Sequence, residues 1–297
     1  MKKIKVSIVI LNFNTKNLLK NCIDSIKKST HIPYEIIVVD NGSTDGSVKM
    51  LEQDYKSVIL IRNKKNLGFA AGNNKARSKV RGKFVLFLNS DTIIEGTSID
   101  KSISYFEKTN NTGALTVKQV LPTGKIDKDS RRSFPTPWVA LTHFSRLDRL
   151  FPKSKLFSRY WYGYLSANKI HNIDVLQGAY FLTTKKILDK VGWFSEDYFL
   201  DGEDIDLSWK IKQLGYCLVY YPKVKIIHLK GATKKKNKRL TFKDKRERQR
   251  YVLAGIEAMQ IFYKKYLWEK YPIYINYLIL LAINLLKILR LIRLYVF

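Results

Sequence analysis

Residues 84–95, FVLFLNSDTIIE, decide the fold. Phe84 to Leu88 is an apolar run with the length and residue types of a strand buried on both faces of a parallel sheet. It stops abruptly in four polar residues, Asn89-Ser90-Asp91-Thr92. In an open α/β sheet ligands sit beyond the carboxyl ends of the strands, so an oxygen-rich step there can hold a metal or a phosphate. Taken alone, it is equally a polar turn after a buried strand.

The flanking sequence repeats the same unit. Residues 6–11 and 35–39 are further continuous apolar strands, and the second ends in Asp40-Asn41-Gly42-Ser43-Thr44-Asp45-Gly46. Between them Leu18, Leu19, Cys22, Ile23 and Ile26 recur at helical spacing. Residues 58–61 read as a third strand, and 66–74 as a small Gly-containing loop running into a helix. Strands alternating with helices at this interval predict βαβ units and a mostly parallel sheet.

Downstream, a helix is expected over 98–108, a strand over 114–117 and a hairpin over 119–129 around Pro122-Thr123-Gly124. Residues 131–169, rich in Arg, Lys and aromatics, read as loop and short helix. A strand over 173–183 is broken by Gly178, a helix covers 203–214, and short strands over 217–221 and 225–228 close the domain.

Composition sets the bounds. The 297 residues are 45% hydrophobic and 27% charged, which excludes wholesale disorder. Lys and Arg number 54 against 25 Asp and Glu, a formal charge of +29 that attracts polyanions. Cys22 and Cys217 form neither a disulfide framework nor a zinc motif, and suit a reduced compartment. The amino terminus, MKKIKVSIVIL, has the charge order of a signal peptide. Its apolar run is too short, however, and Asn12-Phe13-Asn14 stands where a cleavage site would be.

The basic surplus is densest from Lys234 to Arg250, followed by a helical stretch at 251–268 and a terminal apolar segment. The uncharged part of that segment, 273–286, is shorter than the roughly 20 residues of a bilayer span. Lys287, Arg290 and Arg293 continue at helical spacing, which favours an interfacial helix on an anionic membrane surface. A helix docked on the catalytic domain and a tilted span are the other readings. No nucleic acid is expected as partner, because helix-turn-helix, finger and RNP signatures are absent.

Three ambiguous features carry chemistry. Strand one ends in Asn12-Phe13-Asn14-Thr15 rather than a glycine-rich dinucleotide turn, which disfavours nicotinamide binding. Asp40 ends strand two, where a carboxylate can accept from a ribose hydroxyl or a pyrimidine imide. The cluster Asp201-Gly202-Glu203-Asp204-Ile205-Asp206 opens a helix, either balancing its dipole or supplying a general base. His228 ends a late strand.

In combination these become specific. VSIVILNFN, EIIVVDNGSTDGS, NLGFAAGNN, FVLFLNSDT, GAYFLTTKKILDKVGWFSEDYFLDGEDIDLSWK and IIHLKG resemble, in order and spacing, the family 2 glycosyltransferases of rhamnosyltransferase type. The resemblance covers roughly residues 4–232. It implies a GT-A fold, a Rossmann-like α/β mixed sheet flanked by helices. A catalytic domain would occupy 1–232, with a basic and amphipathic helical extension at 233–297. It also implies a nucleoside-diphosphate sugar donor, a UDP- or dTDP-sugar being favoured, and transfer with inversion.

By the same resemblance Asn14, Asp40 and Asn41 would contact the nucleoside, and Asn66, Gly68, Phe69, Asn73 and Gly178 would line the donor pocket. Asn89-Ser90-Asp91 matches the D-x-D motif that holds a divalent cation, Mn2+ or Mg2+, on the diphosphate. Asn89 replaces the first acid, and a neutral amide is a weaker ligand for a hard cation. His228 falls at an additional metal-ligand position. Asp204 matches the catalytic base, while Arg131, Arg132, Trp193 and Glu203 are candidates for diphosphate or acceptor contacts. The expected acceptor is a saccharide or lipid-linked saccharide in cell-surface polysaccharide synthesis, met at the cytoplasmic face of the membrane. Asn89 motivates one alternative, a non-catalytic nucleotide-sugar-binding or scaffold protein, against which Asp204 and His228 argue.

Overall fold

The structure, a computed structural model, describes residues 3–230 and 245–296. Among them nine strands form one sheet, whose main path runs β3-β2-β1-β4-β10-β6-β11-β5. Here β1 is Val6–Asn12, β2 Tyr34–Asp40, β3 Ile59–Arg62, β4 Phe84–Asn89, β5 Thr92–Ile94, β6 Thr112–Val120, β10 Tyr180–Thr184 and β11 Cys217–His228. The ninth strand, β8 (His171–Ile173), pairs with β11. The first four strands pair in parallel, β10 runs antiparallel between β4 and β6, and β11 returns parallel to β6. The sheet is therefore mixed, mostly parallel and flanked by helices, as expected.

Alternation within β1 divides the core. Val6, Ile8 and Ile10 face one cluster with Leu19, Ile23 and Ile26 of α1 (Lys16–Ser29), while Val9 faces a second with Phe87 and Trp193. Both faces are covered, which explains why these strands read as continuous apolar runs. The register sets Leu11 beside Asn89 and Asn12 beside Asp40, so the polar ends of β1, β2 and β4 lie level at one edge.

Three expectations change. The hairpin over 119–129 reduces to one bridge, Val120 with Ile126, closed by the Leu121–Lys125 turn. The strand over 173–183 is three pieces, β8, β9 (Val175–Leu176) and β10, because the chain leaves the sheet around Gly178. The two short strands at 217–228 are one strand with a register shift between Tyr221 and Lys225, where Pro222 has no N–H to donate.

The expected domain boundary near residue 232, and the part of the basic segment from 234 to 244, lie outside the described residues. The helix Lys245–Tyr266 packs on the sheet and its helices. Phe262, 1% exposed, meets Phe134 and Trp209 with ring centroids at 6.1 and 5.5 Å. Tyr266 donates to Asp206 at 2.7 Å, and Asn66 donates to the Tyr251 hydroxyl at 2.7 Å. Gly202 sits at φ +86, where a Cβ would lie 2.7 Å from that of Ala258, so only glycine admits the helix this closely.

The terminal helix, Ile273–Val296, runs antiparallel to it through Tyr263–Asn276, Glu257–Lys287 and the Val252 carbonyl to Arg290. Lys287 and Arg290 thus reach back to the penultimate helix, Lys287 half-buried and Arg290 exposed, while Tyr274, Tyr277, Leu278, Leu281, Leu285 and Ile292 are exposed. Residues 273–294, with mean hydropathy 1.9, are long and apolar enough to cross a membrane, although the uncharged run alone is not. Docking and an outward apolar face coexist.

Phe262→Ala removes the ring that seats the penultimate helix, at a cost of about 3 kcal/mol. Hydrogen exchange is expected to accelerate across residues 245–266 while β1, β2 and β4 stay protected. Equal acceleration everywhere would show that the helix is not a separable layer.

Candidate active site

The level strand ends floor a cleft of about 590 Å³. Its walls come from the turns after β1 and β2, the Asn66–Phe69 turn, the start of α8 (Glu203–Gln213), the end of β11 and the penultimate helix. Gln177 Oε1, Arg132 Nε and Glu203 Oε2 are buried there without hydrogen-bond partners among the described residues. Three unsatisfied polar atoms around one cavity mark a place built for a polar ligand.

One end of the cleft is an asparagine network. Asn41 donates to Asn66 Oδ1 at 3.1 Å and to the Gly68 carbonyl at 3.0 Å, and accepts from Asn63 at 2.8 Å. Asn14, at φ +53, accepts from the Thr44 N–H at 2.8 Å. Gly68 adopts φ +88 against the Phe199 carbonyl, 2.3 Å from where a Cβ would lie. Asn14, Asn41, Asn66, Gly68, Phe69 and Gly178 all line the cleft.

Beside this network, at the end of β4, Asn89, Ser90 and Asp91 reach the cavity. His228 Nε2 stands 3.4 Å from Asp91 Oδ1, and its Nδ1 is 2.8 Å from Asp127. Burial pulls the His228 pKa down, but hydrogen bonds to Asp127 and Asp91 outweigh it and lift it to about 9. Burial likewise opposes the charge on Asp127, yet His228 and Lys230 hold its pKa at about 2. Lys230 also pairs with Asp129.

Among the described residues no three His, Cys, Asp or Glu side chains gather as a metal cluster. The donors present still suit a divalent cation. Asp91 offers a hard oxygen, and Asp127 orients the ring that offers Nε2, the carboxylate–histidine arrangement common behind metals. A cation held by one or two protein groups and completed by phosphate oxygens is ordinary for Mg2+.

The third group is a buried ion pair beside a second carboxyl. Asp204, in the first turn of α8, receives Arg132 at 2.5 Å, with both side chains nearly buried. Burial raises the Asp204 pKa, Arg132 opposes this, Asp201 adds to it, and the balance remains raised. Glu203 is pushed well above the usual carboxylate range by burial, then by Asp204 and Asp201.

Four expected site residues do not face the cleft. Asp40, 1% exposed, accepts from Asn12 at 2.8 Å and from the N–H groups of Gly42 and Ser43, so its carboxylate shapes the turn instead. Asn73 is buried behind, donating to the Phe69 carbonyl. Trp193 is a core ring against Phe87 whose indole N–H goes to Asp189. Arg131 donates to the Leu165 carbonyl and lies over Tyr220. It shares β7 (Arg131–Arg132) with Arg132, and adjacent residues of a strand point to opposite faces, so only Arg132 enters.

The model of glycosyl transferase family 2 matches residues 7–192. The chain belongs to this family. It is a glycosyltransferase, and 235 of its residues are 25% identical to the N-acetylglucosaminyl-diphospho-decaprenol L-rhamnosyltransferase of Mycobacterium tuberculosis, covering 75% of this chain and 76% of that one. A teichoic acid poly(glycerol phosphate) polymerase of Staphylococcus epidermidis is 31% identical over 115 residues, 37% of this chain and 16% of that one.

Among solved structures, GalNAc-T7 with UDP, GalNAc and Mn2+ matches with TM-score 0.57 and 16% identity, over 76% of this chain and 44% of that one. A mannosyltransferase of Pyrobaculum calidifontis with GDP-Man and Mn2+ matches with TM-score 0.55 and 16% identity, over 86% and 63%. These two likenesses concern the fold.

Sequence reasoning missed Asp127, Asp129 and Lys230, and the lining by Tyr251, Gly255, Ala258 and Met259 of the penultimate helix. The acids of Asp127-Lys128-Asp129 were legible only as turn residues. The small residues Gly255 and Ala258, four and seven positions after Tyr251, were the available sign of close helix packing.

Because the Glu203 pKa is raised on folding, its contribution is present at low pH and lost as pH rises through the folded value. Glu203→Gln is expected to flatten that decline and to be the more stable form in mildly alkaline buffer, measured by urea unfolding at several pH values. A variant with the wild-type pH slope would show that Glu203 is already ionised without cost.

Proposed function

We propose that this glycosyltransferase moves a sugar, of the rhamnose type, from a UDP- or dTDP-sugar to a hydroxyl of a lipid-linked saccharide. The setting would be the cytoplasmic face of the membrane, during cell-surface polysaccharide synthesis. The observation that carries the reading is Asp204, a buried carboxylate held by Arg132 in the same cleft as the Asp91–His228 pair. The mycobacterial relative supports the sugar and the acceptor class, and the exposed apolar face of the terminal helix supports the membrane.

Asp204 accepts the proton of the acceptor hydroxyl as that oxygen bonds to the anomeric carbon. The bond from that carbon to the diphosphate breaks on the opposite side, which inverts the configuration. The raised pKa makes Asp204 a stronger base than an exposed aspartate, while Arg132 keeps it ionised before the acceptor arrives. The asparagine network orients the nucleoside, and Asp40 acts through the turn that carries it. Asp91 and His228, with Asn89 beside them, would hold a divalent cation. Such a cation neutralises charge on the departing diphosphate.

Asp204→Asn is expected to lower release of nucleoside diphosphate by roughly 10²–10⁴-fold, with donor binding intact by calorimetry across a panel of sugar nucleotides. Unchanged release would remove Asp204 from the base role, and binding of no donor at all would sink the reading. Asp127→Asn, which frees the outer nitrogen of His228, is expected to raise the Mn2+ concentration for half-maximal activity by roughly 10–100-fold. An unchanged metal requirement would exclude His228 as a ligand.

A further inference from the structure

At the cleft, α5 (Pro137–Phe144), α6 (Leu147–Leu150) and the turns after them form a lip. Its outer surface carries Trp138, Leu141, Phe144, Leu150, Phe151 and Leu156, each between 45% and 71% exposed. Trp138, Phe151 and Leu156 are joined to one another. The Trp138 indole N–H donates to the Leu156 carbonyl at 3.0 Å, and Phe157 lies against both Trp138 and Phe151, with centroids at 6.1 and 5.2 Å. Trp138, Leu141 and Phe144 follow at intervals of three along α5. A contiguous apolar patch of this kind on a soluble face marks an interaction surface.

The charge around it is of one sign. Arg146, Arg149, Lys153 and Lys155 are exposed, and no ion pair engages them among the described residues. The acid within this stretch, Asp148, is buried and paired with His143 at 2.9 Å. Cations on such a surface would repel a second copy of themselves across a two-fold interface. Aromatic and aliphatic side chains interleaved with Lys and Arg match instead the headgroup zone of an anionic bilayer, where rings sit at the interface and cations meet phosphates. The same helix reaches the active site, since Ala140, His143 and Phe144 line the cleft.

We propose that the α5–α6 lip is a bilayer-contact surface, inserting its apolar side chains among anionic headgroups and seating the cleft mouth at the membrane. It is distinct from the terminal helix, which packs on the opposite partner, the penultimate helix. A lipid-linked acceptor would then meet Asp204 without leaving the leaflet. Only that last consequence rests on the transfer reading given above.

The test uses the full chain in a Cys217→Ser background, with an environment-sensitive dye at Leu150→Cys or, as control, at the exposed Lys56→Cys near β3. On phosphatidylcholine vesicles containing phosphatidylglycerol, the dye at 150 is expected to shift to the blue and the dye at 56 to stay unchanged. A silent dye at 150, on vesicles that nevertheless bind the protein, would overturn the proposal and leave the terminal helix as the contact. A shift that needs only higher protein concentration would assign the patch to self-association. A response to polyglutamate but not to vesicles would assign it to an acidic polypeptide, and either result overturns the proposal. Arg149→Glu with Lys153→Glu is expected to lower vesicle partition by roughly 20-fold or more, at about fivefold per basic residue. Nucleoside-diphosphate release from soluble donor should not change, and unaltered partition would refute the lip. Absence of release from every donor, in wild type and variant alike, would defeat the transfer reading while the partition result still judged the surface.

Discussion

The parallel pairing of β1 with β2 on one side and β4 on the other is the constraint from which the site follows. Each of these strands is mostly apolar and closes on a polar residue, Asn12, Asp40 and Asn89. Because the registers coincide, the three polar steps arrive at one edge together. Backbone hydrogen bonds fix the alignment, and burial on both sheet faces prevents slippage, since a one-residue slip would move every side chain to the other face. Asn12 beside Asp40 and Leu11 beside Asn89 are the two contacts at which this alignment is decided.

Electrostatics then completes what the sheet begins. The cleft gathers Asp91, Asp129, Asp201, Glu203 and Asp204 in a chain whose formal charge is +29. Of these Asp91, Glu203 and Asp204 are buried, and carboxylates at this density are tolerated because cations are brought to them from distant segments. Arg132 meets Asp204 across 72 positions, and His228 and Lys230 meet Asp127 across 101 and 103. Glu203 has no such cation of its own, and its raised pKa is the consequence. A compensation network of this kind leaves the site charged yet stable before any ligand enters.

Much of this was legible in the chain. Continuous apolar runs identified the parallel strands, and the polar steps after them marked the edge where ligands bind. Asn14, Asn41, Asn66, Asn89, Asp91, Asp204 and His228 were named from sequence, and the structure brings all seven to one cleft. Asp40 and Asn73 were named at turns that border the cleft, and their side chains are buried in hydrogen bonds to the backbone there, a distinction that a motif does not encode. Arg131 and Arg132 could not be told apart until the pleat of β7 assigned them opposite faces.

The sequence by itself determined the order of strands and helices and the edge that carries the polar residues, since each depends on local pattern. Only the tertiary structure decided that the penultimate helix walls the cleft, that Asp127 stands behind His228, and that Lys287 and Arg290 reach back to the penultimate helix. These depend on contacts between residues about 30 to 185 positions apart, such as Glu257 with Lys287 and Asn66 with Tyr251, which no local periodicity encodes.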